Sequence, residues 1–136
     1  MQFNPYLLFE GNCEEAMEFY KDIFNATISN MMRYSETSQT LSEENHRPPI
    51  IMHASLTTND FTLMLSDNID AKYKRGTNTF IFASINDEKK AEDYFFKLAD
   101  GGHILVPYEI VFWGGKFGKV IDKFGINWMI RGGSEL

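Results

Sequence analysis

The chain repeats itself. Glu15-Ala16-Met17-Glu18-Phe19-Tyr20 and Lys90-Ala91-Glu92-Asp93-Tyr94-Phe95 place a small residue, an acid and an aromatic pair at matching positions about 75 residues apart. Each segment lies within the same succession of elements: a strand, a capped helix, a second strand, then a two-stranded hairpin. Two amphipathic helices can resemble each other by chance, but chance does not also align element order, caps and a helix-terminal Asn or Gly. A repeat of this length requires each copy to be one supersecondary unit.

In the first copy, Phe3 to Phe9 is an apolar and aromatic run with Pro5 inside it, which predicts a strand beginning at an edge or a bulge. Asn12 is the predicted N-cap of a helix with Glu15 three residues on. Ala16, Phe19, Tyr20, Ile23 and Phe24 form its apolar stripe and Asn25 ends it. Residues 26–34 predict a second strand and 35–49 the longest loop. Ile50 to Thr57 and Phe61 to Ser66 predict a hairpin turning at Thr58, Asn59 and Asp60. In the second copy, Thr77 to Ile85 predicts a strand with Phe80, Phe82 and Ser84 on one face. Asn86 or Asp87 caps a helix striped by Ala91, Tyr94, Phe95, Leu98 and Ala99, and Gly101-Gly102 closes it. Ile104 to Val106, Phe117 to Ile121 and Ile126 to Ile130 complete the set.

A chain of 136 residues holds one ordinary domain or two half-size modules, and 43% apolar residues suffice for a core. The expectation is a single α+β domain over 1–136, with one module over 1–70 and another over 76–136. Against 13 Lys and Arg stand 19 Asp and Glu, a net charge of −6, the wrong sign for a surface that releases counterions from nucleic acid. Cys13 stands alone and forms no internal disulfide. No apolar run approaches about 18 residues and no signal-peptide pattern is present, so a soluble, cytoplasmic protein without membrane or nucleic-acid partners is expected.

Paired βαβββ modules with an early x-Phe-Tyr helix resemble the vicinal oxygen chelate superfamily, which includes glyoxalase I, bleomycin-resistance proteins and extradiol dioxygenases. More narrowly, PYLLFEGNCEEAMEFYKDIF (5–24), IMHASL (51–56), GGHILVP (101–107), FWGGKFG (112–118) and DKFGINWM (122–129) resemble its PhnB-like, or demethylubiquinone methyltransferase-like, branch. The last two segments are the most specific. The resemblance implies a curved, mostly antiparallel eight-stranded sheet around a cavity and, as in relatives, a homodimer. It also implies a divalent metal held by His, Gln or Glu on the first and last strands of each module. Carried over by register, those positions fall on Pro5, Met64, Phe80 and Met129, which supply no hard donor. The expectation is therefore a fold of this family without its metal or any other cofactor. Methyl transfer has no counterpart in the residues either, since no Gly-rich loop follows a parallel strand.

Alternation outward from the four positions turns Leu7, Phe9, Thr62, Met64, Ser66, Phe80, Phe82, Ser84, Asn127 and Met129 toward the cavity. This lining suits a small apolar or aromatic ligand, unless the side chains simply fill the space. The competing class is an enzyme, a lyase, isomerase or other vicinal-oxygen-chelate catalyst, using a divalent metal or His53, beside Ser55 and Thr57, as acid/base. Trp113, Lys116 and Phe117 sit in a glycine-rich stretch suited to a lid or a dimer contact, with Lys116 available to an anionic ligand. Cys13, at a helix start, lacks a neighbouring base. A metal set of His53, His103 and Glu109 or Asp122 would need distant strands to converge.

Overall fold

The computed structural model describes residues 1–34, 50–68 and 72–134. The predicted loop at 35–49 lies outside the described residues. The chain divides into two compact units, Met1–Tyr73 and Lys74–Leu136. The first contains β1 (Tyr6–Phe9), α1 (Cys13–Phe24), β2 (Thr27–Arg33), β3 (Ile51–Thr57) and β4 (Thr62–Asp67). The second contains β5 (Ile81–Ile85), α2 (Glu88–Ala99), β6 (His103–Ile110), β7 (Lys116–Ile121) and β8 (Asn127–Gly132). The order is βαβββ twice, in an α+β fold.

The eight strands are shared between two four-stranded sheets, ordered β1-β4-β3-β2 and β5-β8-β7-β6. In each, the first strand pairs parallel with the last and the remaining pairings are antiparallel. The parallel pair follows from the helix between the first two strands, which carries the chain across before the meander returns it.

Helix α1 starts differently from the prediction. The Asn12 side chain accepts the Glu10 N–H and does not cap the helix. The Cys13 N–H instead donates to Asp67 Oδ1 at 2.9 Å, and Ile51 N–H donates to Oδ2 of the same carboxylate at 2.9 Å. One buried acid at the end of β4 thus fixes the start of α1 and the start of β3, and it accepts at a helix N-terminus where negative charge is favoured. Asn25 ends the helix in the left-handed conformation, at φ 52°. Met17 and Cys13 are buried with Ala16, Tyr20 and Ile23, while Phe19 and Phe24 lie half-buried at the margin of the stripe. Helix α2 keeps to expectation. The Asp87 side chain accepts from the Lys89 and Lys90 amides at 2.9 and 3.2 Å, and Ala91, Phe95 and Leu98 are buried.

Between α1 and its sheet lie Leu63 and Leu65 of β4, paired across to Leu56 and Ala54 of β3. Between α2 and its sheet lie Val120, Trp128 and Ile130. Strand β6 runs four residues beyond the predicted Ile104–Val106, to Ile110 before the turn at Val111, on the sheet edge, where Pro107 and two register shifts are tolerated. Among the described residues, no helix is long and apolar enough to cross a membrane.

Candidate functional site

The two most specific sequence segments turn out to build hairpins. In the β6–β7 turn, Val111 N–H donates to Gly115 O and Gly114 N–H to Val111 O, while Gly114 and Gly115 take φ of 103° and 73°. A Cβ on Gly115 would stand 2.3 Å from the Gly132 carbonyl, so turn backbone and β8 backbone meet in a way that only glycine permits. Gly118 gives way to Phe95, whose ring carbon would lie 2.6 Å from an added Cβ. In the β7–β8 turn, buried Asp122 accepts the Phe124 and Ile126 amides at 2.9 and 3.0 Å and Trp128 Nε1–H at 2.9 Å. The Asp-x-Phe-Gly-x-x-Trp spacing is thus a carboxylate locking a turn and a core indole together.

These hairpins position one face of the second sheet. Residues paired with Ile130 and Trp128 point toward α2, so alternation sends Phe82, Met129, Arg131, Phe117 and Lys119 the other way. Phe82 and Phe117 stack with centroids 6.4 Å apart, and Trp113 meets the Phe117 ring edge-on at 5.3 Å. The Lys119 ammonium lies 5.5 Å from the Phe80 ring centre. Phe82 remains 52% exposed on this face, far more than packing against a core would leave. Asn127 shares the face, but its amide donates to the Gly76 and Thr79 carbonyls at 2.9 Å each and holds the approach to β5.

Lys116 does not join this set. It pairs with Gly132, on the side of the sheet that meets α2. Lys119 is on the aromatic face instead, because Lys116 is already the first residue of β7 and alternation puts it on the other side. The stretch containing Trp113 is a tight hairpin turn, and Trp113 folds back over Phe117. Arg131 was missed. Its residue is only 6% exposed; Nη1 donates to Gly133 O at 2.9 Å, and Nη2 donates to Gly114 O and Ser134 O at 3.3 and 3.2 Å. Its guanidinium lies 5.7 Å from the Trp113 ring centre. A single cation at the end of the apolar run Trp128-Met129-Ile130 was the available clue.

In the first unit, the face away from α1 carries Tyr6, His53, Ser55 and Met64. Tyr6 and His53 share a hydrogen bond of 2.9 Å between the phenol oxygen and Nδ1, with ring centres 5.7 Å apart. Tyr6, not Pro5, stands beside Met64 in the parallel register. The expected inward placement of Leu7 and Phe9 is accordingly corrected: Phe9 is fully buried with its ring 6.4 Å from Tyr20 of α1, and Tyr6 and Leu8 occupy the opposite face. Pro5 misplaced the phase because an unbroken aromatic run has no alternation to anchor it.

The donors at these positions do not fit a hard divalent metal. Tyr6, Met64, Phe80 and Met129 offer one phenol, two thioethers and a hydrocarbon ring. Among the described residues, no three His, Cys, Asp or Glu side chains are grouped to hold a metal ion. Asp122 is committed to its turn. Cys13 is buried, and burial, with Asp67 and Glu14 nearby, pushes its thiol far above the usual range, overriding the helix dipole that would favour a thiolate.

A family model described as 3-demethylubiquinone-9 3-methyltransferase matches residues 1–131. Protein YjdN of Escherichia coli (strain K12) is 27% identical over 139 residues, covering 96% of this chain and 95% of that protein. Protein PA1353 from Pseudomonas aeruginosa matches in structure with a TM-score of 0.85 at 32% identity, covering 98% of each chain. The PhnB protein from Bacillus cereus gives 0.81 at 27% identity, covering 97% of this chain and 99% of that one. The likeness runs from end to end, through both hairpins and both helices.

Proposed function

The chain belongs to the 3-demethylubiquinone-9 3-methyltransferase family, the PhnB-like branch of the vicinal oxygen chelate superfamily with its glyoxalase-like fold, and from that premise we propose that it binds a small, flat, apolar or aromatic molecule without a metal. The observation that carries this reading is the stacked set on the second unit: Phe82 on Phe117, with Trp113 at its edge and Phe80 and Met129 alongside. Aromatic rings and a thioether give adaptable contact area, and a half-exposed Phe82 leaves surface for a ligand to cover. Calorimetric titration with 2-naphthol tests it. Saturable binding that weakens about tenfold or more in Phe82→Ser is expected, from the loss of one aromatic contact. Absence of binding, and of any thermal stabilisation by neutral or anionic aromatic probes, would contradict it and leave a module packed shut.

The Tyr6–His53 hydrogen bond favours a second reading, in which His53 is a general base oriented by the phenol. A turnover that is lost in His53→Ala and Tyr6→Phe, with folding intact, would establish that enzyme. The proposal places the protein in the cytoplasm as a homodimer. Supporting this, β6 is an edge strand with Ile104, Leu105, Val106 and Ile110 exposed, a surface that favours pairing. Sedimentation equilibrium reports the dimer directly.

A further inference from the structure

We infer that the second unit's aromatic face takes an aromatic carboxylate, its anionic end directed at Lys119; this rests on the binding reading above. The protein is acidic overall, at −6, yet this face is basic. In register, one row across the sheet is Phe82–Met129–Lys119 and the next is Ser84–Arg131–Phe117. Each row thus joins an aromatic ring to a cation. The two cations are diagonal neighbours on adjacent strands, but their heads diverge: the Lys119 ammonium lies against Phe80 and the Arg131 guanidinium against Trp113, with the Phe82–Phe117 stack between them, so the anion is received by Lys119 at the Phe80 end of the rings.

The acid on this face is Glu109, which pairs with Phe117 from the exposed edge strand. Four cations elsewhere lie next to acids: Lys21 by Glu18, Arg33 by Glu14, Lys89 by Glu92 and Lys97 by Asp93. Arg131 is different. Its hydrogen bonds go to three backbone carbonyls and its face meets the Trp113 ring, so its donors are largely satisfied, and among the described residues no carboxylate pairs with it. Burying a charge without an opposite charge is costly, and an anion bound on the same face recovers part of that cost through space. Lys119 adds an ammonium at the rim of the rings, over Phe80, and a charge-assisted bond to it would set the ligand's orientation.

The test is fluorescence titration with a matched pair, 2-naphthoate and 2-naphthamide, at low salt. It uses the unmodified protein, Lys119→Met, and Lys116→Met as a control on the helix side of the same strand. The expected result is that naphthoate binds about tenfold more tightly than naphthamide, that Lys119→Met removes most of this preference, and that Lys116→Met keeps it. Equal affinity for the two probes, or a preference that survives Lys119→Met, would overturn the inference and leave the binding reading standing. If neither probe binds, both fall.

Discussion

The first unit turns Tyr6, His53, Ser55 and Met64 away from its helix, whereas the second turns Phe80, Phe82, Phe117, Lys119 and Arg131 away from its own. Topology, register and helix caps are the same in kind. Toward the helices both units bury small and aliphatic residues around aromatic rings, Phe9 and Tyr20 in the first and Phe95 and Trp128 in the second. Packing against a helix tolerates little change in volume, so the duplicated fold holds that side constant and leaves the opposite face free to change chemistry. One unit has become polar, with a hydrogen-bonded dyad, and the other aromatic and cationic. The two also lock their chains differently. Asp67 ties a helix to a strand, while Asp122 ties a turn to an indole.

That contrast can be broken most severely at the two aspartates. Asp122→Ala strands two amides and the Trp128 indole N–H, and should cost about 3–5 kcal/mol in urea unfolding. Asp67→Ala strands two amides and should cost less, about 2–4 kcal/mol. An equal or reversed order would show that the helix start, not the turn, governs stability. Gly118→Ala drives a methyl into Phe95 and the Tyr108 backbone and should cost about 1–3 kcal/mol by overpacking, read from the same unfolding curves.

Cys13 opens α1 buried, where α2 opens with exposed Glu88. Because burial raises its thiol pKa in the folded state, the thiol contributes stability below its unfolded value near ~8.5. That contribution is lost as pH rises above it, by up to about 1.4 kcal/mol per pH unit. Cys13→Ala should flatten the alkaline limb of the stability profile, and the native thiol should resist iodoacetamide until the protein unfolds. The smallest effect is at the surface. The hydrogen bond and charge of Arg33 hold the Glu14 carboxyl below its usual range, so the pair's stabilisation is present above pH ~4.3 and fades as pH falls. Arg33→Gln should cost no more than about 1 kcal/mol, and high salt should mask the loss.

Element order was legible from the residues because caps and periodicity are local: Asn25 and Asp87 act where the pattern placed them. The Asp67 cap was not, since its partners lie 54 and 16 residues away in the chain. The aromatic face was largely legible through the alternation of Phe80 and Phe82 and the likeness of the last two segments to known relatives. Its cations were not. Choosing Lys119 over Lys116 needed the phase of β7, which the glycine turn sets, and Arg131 directly follows a run that reads as core. The FWGGKFG and DKFGINWM stretches carried the family resemblance, yet their glycines and Asp122 serve the hairpins. A specific motif can mark how a chain folds rather than where it reacts.

The two tryptophans give the most direct test of the central claim, because Trp113 lies on the aromatic face and Trp128 in the Asp122 lock. In ¹H–¹⁵N spectra recorded during addition of 2-naphthol, the Trp113 indole resonance should move in saturable fashion while that of Trp128 stays in place. A Trp113 signal unmoved at saturation, or a shift confined to His53 and Tyr6, would contradict binding on the second unit.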